Sequence, residues 1–527
     1  MLDSLFDLIR KHYDQGISDY SLPPLVKRSH DGRVVGRVGD GDVLVFACRR
    51  GEREIQLTEA FVDPNFPHFE RTYLPNLAFF PMVEYHSKFA AYPPLFSTTR
   101  PEKTLGEVLA QHSLKQLRIA ESEKFPHVTY FFNGRREASF PGEERIKIMS
   151  TALERMKFVE HSTDEVGKML ISRMNAADFD FALVNFAAGD LYGHLPAFQL
   201  HVRCAEAVDR VLGQIAAHGE QLSYCLLITA DHGLLEQAYN SDGSASVGHT
   251  RAMVPFILVD PTVPGTLSLA PDGTLADVAP TVLQIMGLRQ PEQMTGKPLV
   301  QPYVSSARGV ILIILDGWGI GTEDAKINPI CAARTPHLNR LLAQYPHTAL
   351  HASGAQVGLA PHSSGNSETG HLTLGAGRVV VQDEVRIPQN LNAQQLMKNR
   401  RFYQTIKQLG SHQAVHLLFL LSPGSSHGST DEAVKLLAVL KEWEVERVYL
   451  HAITDGRSAH PFGAVKYLTK LQEILDQAEI GEVVTICGRE FMLDRSGWYL
   501  QRTKAAYEAL VDGKGLYWSR KTEQQFE

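Results

Sequence analysis

The sequence predicts an α/β protein of two domains built on mostly parallel sheets. Three observations predict it. The chain has 527 residues, more than one hydrophobic core usually organises. Short apolar runs alternate with amphipathic stretches along its whole length, the pattern of strand–helix repeats. Several of those runs end in an aspartate, at the strand ends where ligands gather in parallel sheets.

Taken in order, residues 1–16 place apolar and charged residues at helical spacing. They lack the continuous apolar stretch of a signal peptide. Strands are expected at 42–47, 181–186, 225–230, 254–259, 309–315, 447–453 and 483–487, each apolar and short. Phe198, Val202, Ala205, Val208, Leu212 and Ile215 repeat at three and four, which predicts a helix over 198–218 that Gly219 stops. Three connections stand out, at 90–101, 302–309 and 382–390. The first and third read as hinges between domains, the second as an internal joint.

Composition narrows the function classes. With 44% hydrophobic and 21% charged residues, the chain can fill large cores, so disorder is not expected. A net charge of -7 argues against a nucleic-acid surface but not against phosphate ligands, which a few local arginines can hold. Apolar runs such as 310–315 are too short to span a bilayer. Five cysteines, Cys48, Cys204, Cys225, Cys331 and Cys487, are scattered without a C-x-x-C pair; they read as reduced thiols of a cytoplasmic protein. A monomer with no nucleic-acid or membrane partner is expected.

The chemistry sits at the strand ends. Asp316 follows the run 309–315, Asp231 and His232 follow 225–230, and Asp190 and His194 follow 181–186, while His249 precedes 254–259. Aspartate and histidine together suit Mn²⁺ or Zn²⁺ rather than a thiolate-seeking ion. The i, i+4 spacing of Asp190 and His194 puts both on one side of a helical turn. A lone strand-end aspartate is usually a cap or turn residue; four such fragments in one chain are not so easily dismissed. A fifth is Ser367, in Ser364-Gly-Asn-Ser-Glu-Thr-Gly-His371. A serine opening a helix can have its alkoxide stabilised by backbone N–H groups and a cation. It becomes a nucleophile only with a base or metal beside it, and is otherwise a helix cap.

These residues, with Leu117-Arg-Ile-Ala-Glu-Ser-Glu-Lys-Phe-Pro-His-Val-Thr129 and Gly189-Asp-Leu-Tyr-Gly-His194, closely resemble the cofactor-independent (2,3-bisphosphoglycerate-independent) phosphoglycerate mutases of the alkaline phosphatase superfamily. The family order starts at the strand carrying Asp-Gly-Trp-Gly, here Asp316 to Gly319, so the chain looks circularly permuted. The resemblance implies a phosphatase-like metal-binding domain at 98–384, contiguous through the 302–309 joint. It implies a smaller α/β transferase domain split between 1–97 and 385–527.

The resemblance also implies roles. One divalent ion would be held by Asp190, His194 and His249, a second by Asp231, His232, Asp316 and Ser367, with Mn²⁺ expected and Zn²⁺ or Mg²⁺ as alternatives. Lys124 matches a lysine that reaches the serine and the phosphate. Arg50, Arg53, His427, Arg457, Arg489 and Arg495 match substrate-binding positions, with Arg49 competing for one of the first two. The activity implied is the glycolytic and gluconeogenic interconversion of 3-phosphoglycerate and 2-phosphoglycerate through a phosphoserine. Three positions depart from the family pattern: Ser458 stands where an acid/base aspartate is expected, and Ser429 and Ser246 stand where histidines are. A serine cannot exchange a proton near neutral pH as a carboxylate can. The alternative is a metal-dependent phosphohydrolase, or a phosphomutase of another small phosphometabolite, using the same serine.

Overall fold

The computed structural model describes residues 3–149, 159–263 and 267–519. The chain divides into two compact units, Thr99–Val385 and a split unit of Met1–Thr98 with Arg386–Glu527.

The first unit holds an eight-stranded sheet. Its order is Glu143–Ile148, Gln116–Glu121, Phe181–Phe186, Val310–Leu315, Cys225–Thr229, Val254–Val259, His347–His351, Gly273–Thr274. The first five strands run parallel. Val254–Val259 turns the direction over, pairing antiparallel with both of its neighbours. Val310–Leu315 is buried along its whole length, as an all-apolar strand covered on both faces should be. Its register sets Leu315 beside Phe186 and Ile314 beside Thr229, so three strands end at one level and three loops leave the same edge.

The helix expected at 198–218 runs over Phe198–Leu222 and ends at Ser223, which takes the left-handed conformation. Gly219 lies inside it: a Cβ there would come within 3.1 Å of Leu226. The glycine allows the helix to lie close on the sheet instead of stopping it.

The split unit holds a seven-stranded sheet. Its order is Leu516–Ser519, Leu25–Arg28, Glu482–Gly488, Val448–Thr454, Val415–Leu421, Val43–Ala47, Ala78–Pro81. Five consecutive strands, from Glu482–Gly488 to Ala78–Pro81, are parallel. Leu25–Arg28 is antiparallel to Glu482–Gly488. The interior strand Val415–Leu421 lies outside the predicted runs although all seven residues are buried. The amphipathic amino terminus forms the helix Asp3–Asp14. The connection expected at 382–390 is itself largely a helix, Asp383–Asn390, with Pro388 inside it. Among the described residues no helix is long and apolar enough to cross a membrane.

Candidate active site

In the first unit, the loops leaving three adjacent strands and the start of the helix Ser367–Ala376 converge. Asp316 directly follows Val310–Leu315, Asp231 and His232 follow Cys225–Thr229, and Asp190 lies in the short helix Ala188–Gly193 after Phe181–Phe186. Gly317 is at φ +74°, and a Cβ there would lie 2.9 Å from the Asp190 nitrogen; only glycine combines that backbone with that clearance. Ser367 is the first residue of its helix, and the cap is the preceding Asn366, whose side chain accepts from the Thr369 N–H at 2.9 Å. The serine hydroxyl is therefore not consumed in capping. The helix seats closely: at Gly370 a Cβ would lie 2.6 Å from the Asp231 carbonyl oxygen, and at Gly375 it would run into the carbonyl of Phe132.

Ser367 Oγ accepts a hydrogen bond from Lys124 Nζ at 2.6 Å, lies 2.9 Å from His232 Nε2 and donates to Asp316 Oδ1 at 3.2 Å. Lys124 Nζ also meets Asp190 Oδ2 at 2.6 Å and Asp316 Oδ1 at 2.9 Å. Lys124, Ser367, Asp190, Asp231, His232 and Asp316 are all buried. Burial opposes the lysine charge, but Asp316, Asp190 and Asp231 outweigh it and hold the ammonium well above its ordinary range. Burial likewise opposes the charge on Asp190, and Lys124 with His194 and His249 holds its carboxyl well below the usual range. In His232, burial pulls the ring down, yet Asp231 and Asp316 push it up to about 9. These buried groups create a strong demand for positive charge.

The histidines show how that demand is met. His194 Nδ1 donates to the Val247 carbonyl at 2.8 Å, His249 Nδ1 to Gly365 at 2.9 Å and His232 Nδ1 to Gly233 at 3.3 Å. A carbonyl can only accept, so each ring donates from Nδ1, and in its neutral form it turns a bare Nε2 inward. His249 Nε2 lies 3.2 Å from His194 Nε2 and 3.1 Å from Asp190 Oδ1, and His194 Nε2 lies 3.3 Å from the same oxygen. Lone pairs converging without a shared proton fit a bound cation. Asp231 Oδ2 is buried with only the charge contact of His371 Nδ1 at 3.3 Å and no hydrogen bond of its own, and a cation satisfies its free lone pairs. The donor set therefore fits divalent metal ions.

Ligand atoms of Asp190, His232 and His249 lie within 4.8 Å of one another, as do those of Asp231, Asp316 and His371. His371 differs in kind. Its Nδ1 lies 2.9 Å from the Ser367 carbonyl and 3.3 Å from Asp231 Oδ2, and its Nε2 accepts from Asn185 Nδ2 at 3.2 Å. Asn185 Nδ2 also donates to Asp316 Oδ2 at 2.7 Å. Both nitrogens of His371 are engaged, so it orients carboxylates rather than binding metal. Glu236 ties the loops together, accepting from the Leu234 and Gly319 N–H groups at 2.8 and 3.1 Å and from the Thr250 hydroxyl. His371, Asn185 and Glu236 are absent from the sequence-based candidates. The signals for two of them were a histidine one helical turn after the serine and a lone amide in an apolar strand.

In the split unit, the arginines and His427 gather at the carboxyl ends of adjacent parallel strands. Arg50 and Arg53 follow Val43–Ala47, His427 follows Val415–Leu421, Arg457 follows Val448–Thr454 and Arg489 follows Glu482–Gly488. Burial lowers the Arg53 pKa, and the charges of Arg495, Arg489 and Arg457 lower it further. Burial pulls His427 down to about 3, helped by Arg489, Arg50 and Arg53. Cations that lower one another's pKa in this way lie close together, an arrangement suited to an anion. Arg489 is buried against Asp455, Arg495 meets Glu52 at 2.9 Å, and Arg457 is exposed. Arg49 is placed differently: it is buried, pairs with Glu432 at 2.9 Å and donates to the Ser425 carbonyl at 2.8 Å. Ser458 N–H donates to Asp455 Oδ2 at 3.1 Å, and its hydroxyl lies 3.2 Å from that of Ser425.

Comparison with known proteins agrees with this chemistry. Residues 48–290 match the metalloenzyme superfamily. Residues 2–87 and 387–526 match the family described as BPG-independent PGAM N-terminus. A 2,3-bisphosphoglycerate-independent phosphoglycerate mutase of Synechococcus sp. strain JA-3-3Ab is 39% identical over 306 residues, covering 57% of this chain and 56% of that protein. The protein of the same name from Pseudomonas aeruginosa is 41% identical over 266 residues, covering 50% of this chain and 51% of its own length. The chain thus spans about half the length of the curated relatives it matches. A crystal structure of Leishmania mexicana phosphoglycerate mutase is similar with a TM-score of 0.43 and 23% identity, covering 52% of this chain and 53% of that one.

Proposed function

We propose that this chain is a BPG-independent phosphoglycerate mutase of the metalloenzyme superfamily, a reading that its matches to both family models support, and that it interconverts 3-phosphoglycerate and 2-phosphoglycerate through phosphorylated Ser367. The observation that carries the reading is the setting of the Ser367 hydroxyl, within 2.6 Å of Lys124 Nζ and 2.9 Å of His232 Nε2. Asp190, His194 and His249 would hold one divalent ion, and Asp231, His232 and Asp316 with Ser367 the other. Mn²⁺ suits this mixture of oxygen and nitrogen donors. Such ions lower the pKa of a bound hydroxyl and offset charge on a transferring phosphoryl group.

The chain's own residues do the rest. Lys124 steadies the Ser367 oxygen and neutralises phosphate oxygens. Asn185 and His371 keep the carboxylates of Asp316 and Asp231 turned inward. Arg50, Arg53, Arg457, Arg489 and Arg495 hold the carboxylate and phosphate of the substrate, for which guanidinium forks are suited. Loss of the phosphoryl group to Ser367 leaves glycerate, and its return to the other hydroxyl gives the isomer. We assign Thr99–Val385 as the phosphatase-like domain and the split unit as the transferase domain. A circularly permuted order is supported by the family match in two stretches, 2–87 and 387–526, flanking the remainder. Five unpaired cysteines suit a reducing cytoplasm.

The test is incubation with 3-phosphoglycerate and Mn²⁺, Mg²⁺ or Zn²⁺ in turn. Formation of 2-phosphoglycerate, lost in Ser367→Ala, is expected. Ser458, a residue that cannot work as a carboxylate, favours a second reading, a phosphohydrolase. Release of inorganic phosphate without 2-phosphoglycerate would select it.

A further inference from the structure

We propose that Glu54 and His427 form a proton relay serving the substrate hydroxyl held by the arginine cluster of the split unit. The proposal rests on the mutase reading and gives His427 a role beyond a binding contact.

The pair is fixed in place. His427 Nδ1 lies 3.2 Å from Glu54 Oε1. Both residues are buried, His427 at 4% exposure and Glu54 at 0%. Glu54 sits in the first turn of the helix Gly51–Val62, and its Oε2 accepts from the Arg53 N–H at 3.1 Å. The His427 carbonyl accepts from the Arg49 N–H at 2.8 Å, and its own N–H donates to Ser425 Oγ at 3.3 Å. The other ring nitrogen, Nε2, makes no hydrogen bond to any described residue. Arg489, Arg50 and Arg53 are close enough for their charges to act on the ring.

Phosphoryl transfer between glycerate oxygens needs a group that both gives and takes a proton. The arginines cannot, because guanidinium stays protonated. Asp455 is occupied by Arg489, the Ser458 N–H and the Ser422 hydroxyl. Glu52 lies against Arg50 at 3.6 Å and Arg495 at 2.9 Å. Cys48 and Tyr85 also feel the charge of Glu54, and the Tyr85 hydroxyl is spent on the carbonyls of Phe46 and Cys48. Among these groups the imidazole alone can relay. Burial, more than any neighbour, raises Glu54 to about 8, so it holds a proton at neutral pH while His427 stays neutral. Glu54 then donates to Nδ1, and Nε2 carries the outward hydrogen.

The proton count closes. Ser367 enters and leaves the cycle as the alkoxide. When the bond between phosphorus and the first glycerate oxygen breaks and the phosphoryl group goes to Ser367, that oxygen takes the proton of His427 Nε2. Nδ1 then takes the proton of Glu54. On return, the second hydroxyl gives its proton to Nε2 as its oxygen bonds phosphorus, and Nδ1 hands one back to Glu54.

The experiment measures kcat and KM for 3-phosphoglycerate across pH 5.5–9.5 in the full-length, metal-loaded protein, Glu54→Gln, Glu54→Asp, His427→Gln and His427→Ala, with circular dichroism checking each fold. Glu54→Gln and His427→Gln are expected to lower kcat roughly 10²-fold with KM changed less than about threefold. Glu54→Asp is expected to keep part of kcat, and added imidazole to restore turnover to His427→Ala. The limb of the wild-type kcat profile near pH 8 should disappear in Glu54→Gln; if that variant fails to fold, imidazole rescue of His427→Ala decides. A rise in KM alone, with kcat and its profile unchanged and no rescue, overturns the relay and leaves the mutase reading standing. A wild-type protein that makes no 2-phosphoglycerate overturns both.

Discussion

The ammonium of Lys124 lies 2.6 Å from the hydroxyl oxygen of Ser367, and the same nitrogen is in contact with Asp190 and Asp316. One buried cation thus links the serine hydroxyl to carboxylates from two different strand-end loops. Replacing Ser367 by alanine removes the phosphoryl acceptor and leaves these carboxylates in place. Phosphoryl transfer should fall by at least about 10³-fold, while Mn²⁺ uptake by equilibrium dialysis persists. Turnover within tenfold of wild type would sink the phosphoserine scheme.

Lys124→Gln should be read by stability as well as by activity. Without the ammonium, Asp190 and Asp316 lose the cation paired with them and Asp231 loses part of its charge compensation. Breaking such a buried arrangement costs about 3–5 kcal/mol. Denaturant unfolding in a chelator should show that loss, and saturating Mn²⁺ should recover more stability in the variant than in wild type.

Metal binding itself should register in thermal unfolding. At about 100-fold excess over the dissociation constant, one ion adds about 2.7 kcal/mol. The midpoint should rise with Mn²⁺ and fall with chelator. His249→Ala should need far more ion for the same rise, and His371→Gln about 10- to 100-fold more if it orients Asp231. Unchanged ion dependence in both would remove the cation from this site.

The arginines should separate by burial. Arg489 is buried against Asp455, so Arg489→Ala should cost on the order of 3 kcal/mol in unfolding as well as activity. Arg457 is exposed, so Arg457→Ala should leave the unfolding midpoint within about 0.5 kcal/mol while raising KM roughly tenfold. Equal stability losses would contradict the placement.

Glu54 makes a pH prediction. Its folded-state pKa, raised by burial from 4.5 to about 8, lies above its unfolded value. The native protein holds this proton more tightly, so the contribution is full below about pH 4.5 and is lost as pH rises through about 8. The loss is on the order of 5 kcal/mol. Unfolding of Glu54→Gln should fall less steeply than wild type over that window; parallel curves would show that the carboxyl is not so raised.

Much of the metal-binding unit was legible because parallel strands are uniformly apolar and their ends are polar, so Asp316, Asp231 and Asp190 announced themselves. Strand direction was not: Val254–Val259, antiparallel to both its neighbours, is as fully buried and apolar as the parallel strand Val310–Leu315, and composition carries no mark of which way a buried strand runs. Asn185 and His371 were illegible for another reason. They meet across 186 residues of chain, and each alone looks like an ordinary polar residue in a core. The different settings of Arg49, buried against Glu432, and Arg50, at the cap of the helix Gly51–Val62, were illegible because sequence periodicity leaves a helix boundary uncertain by a residue or more.

The bare backbone of Gly370 and Gly375 bears on how this site can be rewritten. The helix that presents Ser367 lies against the Asp231 and Phe132 carbonyls with no room for a methyl group. An engineer who wants a thiol or a secondary alcohol at 367 changes one side chain on an undisturbed platform. Alanine at 370 keeps every reactive group yet lifts the platform from its bed, shifting the nucleophile against all its partners at once. Backbone clearance, more than the identity of the reacting atom, therefore sets the limits within which this site can be redesigned.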